Sequence, residues 1–286
     1  MAIDVRYNFT GVLIETTSQA LLGTHTLLGV RIVDNDPSDS PLWQALPIAL
    51  RPATITYYLN GADVFIGNGT FNDIVFLGMG DDIILSGAGD DTARGGGGDD
   101  YIDGGAGNDK RLGGDAGDDE IRGGLGNDKI RGDQGHDELW GDDGNDDIGG
   151  DTGDDYLFGG AGDDRIGGGF GIDEIQGGAG ADILGGGAGE DAFIFAALTD
   201  STVAIAGRDT IMDFQDGLDQ IWLDDIGGLS VFRGTGAFTA AGQVRVVQQG
   251  LDVLVQVNTV GTSGSEMDIL VKNQTTAAFS IADFAF

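Results

Sequence analysis

From residue 75 to residue 184 one apolar side chain returns about every ninth position: Val75, Ile84, Ala93, Ile102, Leu112, Ile121, Ile130, Leu139, Ile148, Leu157, Ile166, Ile175 and Leu184. Glycine and acid fill the spaces between them. This is neither the 3.6-residue period of an amphipathic helix nor the alternation of a long strand. A fixed nine-residue period predicts a solenoid in which each unit is one short strand and one tight loop. Two units make one turn of the coil, so residues 18 or 19 apart stack. Further on, Val244/Val246, Val253/Val255/Val257 and Met267/Ile269/Val271 alternate with other residues, and a turn through 261–266 separates the last two groups. That period of two predicts half-buried antiparallel strands. Residues 1–59 are of ordinary composition and hold all four prolines. Their aromatic residues Tyr7, Phe9, Trp43, Tyr57 and Tyr58 are expected to cover the open first turn of the coil. The chain therefore reads as all-β in three parts: a cap (1–59), a parallel, right-handed coil (60–195) and a β-sandwich-like C-terminal domain (196–286).

The polar positions repeat as strictly as the apolar ones. Asp63, Asp73, Asp82, Asp91, Asp100, Asp109, Asp119, Asp128, Asp137, Asp146, Asp155, Asp164, Asp173, Asp182 and Asp191 are spaced by nine, except for two steps of ten. The apolar residue stands two places after each Asp. After Asp109 it is displaced by Arg111 to Leu112, which accounts for one long step. Gly stands two places before each Asp, except where Phe71 does. The unit is G-G-x-G-x-D-x-U-x, with U apolar. Its glycines supply the positive φ that tight loops need. The residue before the Asp is often Asn or Asp, as in Asp81, Asn108, Asn127, Asn145 and Asp163, types that tolerate left-handed backbone. Asp115, Asp133, Asp142 and Asp151 depart from the pattern by replacing the second glycine of their loops.

Charge gives the ladder its meaning. The chain carries 14 basic and 48 acidic residues, a formal charge of −34, with 54 glycines and no cysteine. The stretch 60–195 alone holds 32 of the acids against 7 bases, and 41 of the glycines. Such a field repels phosphate, so nucleic acid and anionic membrane are poor partners. Disulfides and Cys-ligated metals are excluded. Stacked strands lie about 4.8 Å apart, so carboxylates filed at that spacing repel unless cations stand between them. A hard divalent ion with six or more oxygen ligands at about 2.3–2.6 Å fits, and Ca2+ fits better than Mg2+, which demands strict octahedral geometry. The expected ligands are the carboxylates of Asp82, Asp91, Asp100, Asp109, Asp119, Asp128, Asp137, Asp146, Asp155, Asp164, Asp173, Asp182 and Asp191. Loop carbonyls of successive turns join them: Gly87, Gly89, Gly96, Gly98, Gly105, Gly107, Gly117, Gly124, Gly126, Gly135, Gly144, Gly153, Gly160, Gly162, Gly171, Gly178, Gly180 and Gly189. Roughly ten ions would cancel about twenty charges.

The unit resembles the RTX (repeats-in-toxin) nonapeptide family, closely over residues 78–191 and loosely over 60–77. The resemblance implies a parallel β-roll with calcium in its loops. Residues 209–223, DTIMDFQDGLDQIWL, are similar to the D-x-I-x-D-F-x-x-G-x-D-x-I-x-L segment of serralysin-type C-terminal domains, matching at Asp209, Ile211, Asp213, Phe214, Gly217, Asp219, Ile221 and Leu223. The ending SIADFAF is like that family's apolar terminus. This second resemblance implies a type I (ABC) secretion apparatus as partner and a secreted, extracellular or cell-surface location in a Gram-negative-type bacterium. No Sec-type signal is expected, because Asp4 and Arg6 interrupt the N-terminal apolar run. No segment approaches a membrane span in length.

Catalytic chemistry finds little support. The two histidines, His25 and His136, form no H-E-x-x-H pair, so zinc-protease chemistry is not expected. Both read as non-catalytic, His25 structural and His136 solvated. Strings such as Gly124–Gly126 are by-products of the repeat and lack the strand and helix of a dinucleotide site. The expectation is a calcium-folded, exported protein without enzymatic activity, acting as a structural, surface or adhesion component that self-assembles. The alternative is a module for an anionic, alginate-like or cell-surface polysaccharide, or an accessory to an exported enzyme. That alternative would use Arg94, Lys110, Arg111, Arg122, Lys129, Arg131 and Arg165.

Overall fold

The computed structural model describes residues 62–67, 72–223, 226, 228–229, 231–261 and 264–286, and the backbone of five strands nearer the N-terminus (Asp4–Arg6, Leu13–Glu15, Gly23–Leu27, Val30–Asp34 and Thr56–Tyr58). The roles expected of Tyr7, Phe9, Trp43, Tyr57, Tyr58 and His25 fall outside the described side chains. The chain divides into two compact units, 1–143 and 144–286. Each is all-β, and among the described residues there is no α-helix.

In the first unit successive strands alternate between two parallel sheets. One contains Asp63–Ile66, Ile83–Leu85, Tyr101–Ala106, Glu120–Leu125 and Glu138–Asp143; the other contains Thr56–Tyr58, Ile74–Phe76, Thr92–Gly97, Arg111–Ala116 and Lys129–Gln134. Ile102 pairs with Ile84 on one side and Ile121 on the other, so the apolar column is also the register of the sheet. Val75, Ile84, Ala93, Ile102, Leu112, Ile121, Ile130 and Leu139 all point inward and are fully buried. A lone apolar residue per unit suffices because each turn stacks it on the next. The strands are longer than a single apolar position suggests. The first three residues of each following loop continue the parallel ladder, as in Gly105↔Gly124 and Ala106↔Leu125.

The ten-residue step after Asp109 leaves the register intact. Arg111 pairs with Thr92 and Leu112 with Ala93, so the extra residue is Lys110, held in a bend before the strand. Leu112, not Arg111, fills the core, as the apolar pattern requires. At the start of this unit the hairpin Gly23–Leu27/Val30–Asp34 lies antiparallel to Asp63–Ile66, which covers the edge of the first strand of that sheet.

The second unit repeats the scheme with Ile148, Leu157, Ile166, Ile175, Leu184 and Phe193 inside. Its C-terminal strands are continuous with the roll. Thr210–Ile211 pairs in parallel with Ile183–Leu184 and with Leu270–Val271, which begins an antiparallel run through Asp252–Asn258 to Gln243–Gln249. The other sheet runs from Ala192–Ile194 through Gln220–Trp222 to Phe284–Ala285. The terminal SIADFAF has a structural use here. Ser280 and Asp283 form a reciprocal capping box over one turn of 3-10 helix, and Phe284 then closes the sheet. Phe279 packs 5.3 Å from Phe214 and 6.0 Å from Phe284, centroid to centroid, so the terminus is held by an aromatic cluster.

Candidate metal centre

Every loop of the array places two successive residues for two different ladders. The first ladder is made by the repeat Asp itself. In the first unit Asp82 Oδ1 accepts the main-chain N–H of Asp63 at 2.6 Å, Asp100 that of Asp82 at 2.8 Å, and Asp119 that of Asp100 at 2.8 Å. The parallel file is Asp91, Asp109 and Asp128, accepting from Asp73, Asp91 and Asp109 at 2.6, 2.7 and 2.8 Å. In the second unit Asp164 and Asp182 accept from Asp146 and Asp164, both at 2.8 Å, while Asp173 and Asp191 accept from Asp155 and Asp173. The second ladder is made by the residue before the Asp and runs the other way. Asp81 Oδ1 accepts the N–H of Asp99 at 3.1 Å, and Asn108 Oδ1 that of Asn127 at 2.8 Å. Asn and Asp recur at this position because their short acceptor spans one turn, beyond their tolerance of tight backbone.

The glycines allow this stacking. From Gly87 to Gly189 φ is positive at the second and fourth loop positions, for example Gly124 (+102°) and Gly126 (+125°). Asp115, Asp133, Asp142 and Asp151 take the second position at φ of 70–79°, the left-handed conformation that Asp tolerates. Two of them meet cations one strand away: Arg94 binds Asp115, and Arg111 lies 3.1 Å from Asp133. These two departures from glycine are thus paired with nearby basic residues, and Arg94 and Arg111 are committed to these contacts.

A Cβ on Gly126 would run into the carbonyl oxygen of Gly107, one turn back, and Gly107 stands in the same relation to Gly89. Gly126→Ala combines that collision with a φ hostile to L-residues, and is expected to destabilise the folded protein by about 3 kcal/mol or more. Urea unfolding in calcium measures it; a loss no larger than for an exposed surface Ala substitution would contradict the tight stacking.

The other carboxylate oxygen of each repeat Asp is the chemically active one. Oδ2 of Asp82, Asp91, Asp100, Asp109 and Asp119 in the first unit is buried and accepts no hydrogen bond, as is that of Asp164, Asp173, Asp182, Asp191 and Asp209 in the second. A buried carboxylate without a counter-charge is costly. Burial pushes Asp100 up to about 8, and Asp82, Asp91, Asp164 and Asp173 to about 7, each only partly offset by the N–H it accepts. A hard cation that takes oxygen ligands answers this need, and a Cβ added to Gly104 would meet both Asp109 Oδ2 and the Gly123 carbonyl oxygen, as one on Gly168 would meet Asp173 Oδ2 and the Gly186 carbonyl oxygen. Among the described residues no three acidic or imidazole side chains converge on one point. A metal held here would take the carboxylates of the repeat Asp together with loop carbonyl oxygens.

The model of the RTX calcium-binding nonapeptide repeat matches residues 59–93, 76–110, 113–148, 140–175 and 168–193. The array belongs to the RTX calcium-binding repeats. No curated protein sequence matches the chain. Similar solved structures include the AlgE6R2 and AlgE6R3 subunits of the Azotobacter vinelandii mannuronan C5-epimerase. The first is 23% identical at a TM-score of 0.35, covering 56% of this chain and 88% of that one. The second is 25% identical at 0.30, covering 66% and 80%. An extracellular lipase, LipA of Serratia marcescens, is 17% identical at 0.33, covering 76% of this chain and 40% of the lipase.

The RTX ladders do not stop at the last nonapeptide. Asp209 Oδ1 accepts the N–H of Asp182 at 2.9 Å, and Asp219 Oδ1 that of Asp191 at 3.2 Å. Asp213 adds bonds from Gly186 and Gly187. Asp209 is fully buried, and burial pushes it to about 9. These three were absent from the ligands expected by spacing, since they lie 26 to 28 residues beyond their partners. The signal that finds two of them is the repeat's own Asp-x-apolar pair, present in Asp209/Ile211 and Asp219/Ile221. His136 stands in the second ladder as an exposed residue whose main-chain N–H donates to Asp118 Oδ1 at 2.8 Å.

Proposed function

We propose that this protein is exported, folds on extracellular calcium, and then serves without enzymatic activity as a structural, surface or adhesion component. The observation that carries the calcium part is the two files of buried, unpartnered Asp Oδ2 atoms. Calcium, when bound, supplies the counter-charge those files need. The chain does the rest: Oδ1 of Asp82, Asp100, Asp119, Asp91 and Asp109 fixes the rotamer by accepting the N–H one turn back, which leaves Oδ2 turned to the loop. The glycines bring successive loops close enough to share ligands. Asp209 and Asp219 offer the same arrangement beyond the repeats, and roughly ten ions would be taken up in all. Where calcium is scarce the carboxylates repel, and the chain stays open for passage through a type I exporter. No helix among the described residues is long and apolar enough to cross a membrane.

The assembly part is tested on the exported protein. Analytical ultracentrifugation and electron microscopy in millimolar calcium should show filaments or sheets that disperse in EGTA. A strict monomer at high concentration in calcium would remove the structural role and leave the folding mechanism standing.

A further inference from the structure

The two files of the first unit are built alike but charged differently. Along the file of Asp82, Asp100, Asp119 and Asp137, the flanking loop positions are Asp81, Asp99, Asp118 and His136 before, and Ile83, Tyr101, Glu120 and Glu138 after. That is five further carboxylates, of which Glu120 is paired with Arg122 at 3.3 Å, and no Lys or Arg at the flanking positions themselves. Along the file of Asp73, Asp91, Asp109 and Asp128, the corresponding positions carry Asn72, Asp90, Asn108 and Asn127, then Ile74, Thr92, Lys110 with Arg111, and Lys129. That is one carboxylate and three cations, of which Arg111 is held by Asp133 and Lys110 and Lys129 remain beside the file. Lys110 Nζ lies 3.2 Å from the carbonyl oxygen of Asp90 and 4.0 Å from its carboxylate.

The acid-rich file also has space beside it. A groove of about 500 Å3 runs along it, lined by Asp81, Asp99, Asp118, Glu120, Glu138 and Tyr101 among others. The same groove is bounded by Asp82, Asp100 and Asp119, which are 1–3% exposed and whose Oδ2 atoms have no partner. The hydrogen-bond framework does not require the extra charge. Asn108 Oδ1 accepts the N–H of the next turn as Asp99 Oδ1 does, at 2.8 and 3.0 Å.

We propose that the groove-lined file is a distinct, high-affinity site for hard cations, one that prefers higher charge and exchanges to a trivalent ion before the other file does. The inference rests on the reading of the array as a calcium site. Its physical basis is that oxygen sites for hard cations are tuned by the number of charged ligands and neighbours. Asp81, Asp99 and Asp118 add negative charge within one residue of the ligands, while Lys110 and Lys129 subtract it from the other file.

The test uses the full chain, folded in saturating calcium and checked for β-sheet by circular dichroism, with Tb3+ then titrated in. Tyr101 in the groove sensitises Tb3+ emission, and the strands Ile74–Phe76, Thr92–Gly97, Arg111–Ala116 and Lys129–Gln134 beside the other file hold no Tyr or Trp. Emission should appear at the lowest Tb3+ concentrations and fall in Tyr101→Phe, while calcium release is unchanged. Asp81→Asn/Asp99→Asn/Asp118→Asn keeps the ladder and should raise the half-exchange concentration by about tenfold or more. The reciprocal Asn108→Asp/Asn127→Asp should increase the tightly bound Tb3+ counted by dialysis, with Tyr101-sensitised emission unaltered. An unchanged half-exchange concentration in the first variant overturns the inference, and so does unchanged uptake in the second. A chain whose circular dichroism ignores calcium before Tb3+ is added overturns the calcium reading instead.

Discussion

Stripped of calcium at neutral pH, the chain will give the far-UV circular dichroism of an unfolded polypeptide, and millimolar calcium will restore the β-sheet signal. The folded array needs the buried files of Asp82, Asp100 and Asp119 and of Asp91 and Asp109 to sit without partners for Oδ2. The chain as a whole carries −34 charges, and its 54 glycines lose more backbone entropy on folding than any other residue would. Only one apolar side chain per nonapeptide is buried, too few to outweigh those terms alone. A ligand that binds only the folded form adds about 2.7 kcal/mol per site at a hundred times its dissociation constant. Over roughly ten sites that decides between folded and unfolded chains. Because each turn is built on the last, the transition against calcium concentration should be steep rather than graded. A β-sheet signal that persists in excess EGTA at low ionic strength would sink the mechanism.

Acid will partly replace calcium. In the metal-free fold, burial raises the carboxyls of Asp82, Asp91, Asp164 and Asp173 from the ordinary 3.8 to about 7, and Asp100 to about 8. The metal-free folded chain thus holds more protons than the unfolded one between about pH 4 and pH 8. Its stability is fully present below the unfolded value and is lost as pH rises through the folded values. Calcium-stripped protein should therefore gain β-sheet signal as pH falls from 8 towards 4, while Asp100→Asn, which removes a calcium ligand, should raise the calcium needed for half-folding at neutral pH. Structure gained on raising the pH of the stripped protein would reverse the sign and contradict the burial of these groups.

Much of this was legible in the residues, for a physical reason. A nine-residue unit has few degrees of freedom, and each position answers to one constraint. The apolar residue must face inward, the second and fourth positions must take positive φ, and the Asp must repeat in files. Leu112 was correctly placed inside although Arg111 stands at the regular spacing, because a buried guanidinium has no partner there. The misses share a different cause. Asp81, Asp99 and Asn108 read locally as turn formers, but their acceptors work across a turn, on an N–H 18 or 19 residues away. Asp209 and Asp219 fall off the nine-residue period because the intervening 196–208 segment adds to the spacing. Arg94 and Arg111 looked available for a polyanion, but each answers an Asp one strand over.

The bend at Lys110 shows what the array tolerates. One added residue is absorbed in a corner because the strands on either side keep their partners. A whole added nonapeptide is a different matter. It would carry every later strand of its unit to the opposite sheet and every later Asp to the opposite file. Placed between Asp191 and Asp209 in the second unit, it would set Asp209 against the stack that ends in Asp191, and Asp219 against the one that ends in Asp182. The fold therefore has a reading frame of two nonapeptides: such an array can lengthen or shorten by duplication or loss of pairs, and single-unit changes are frameshifts in three dimensions.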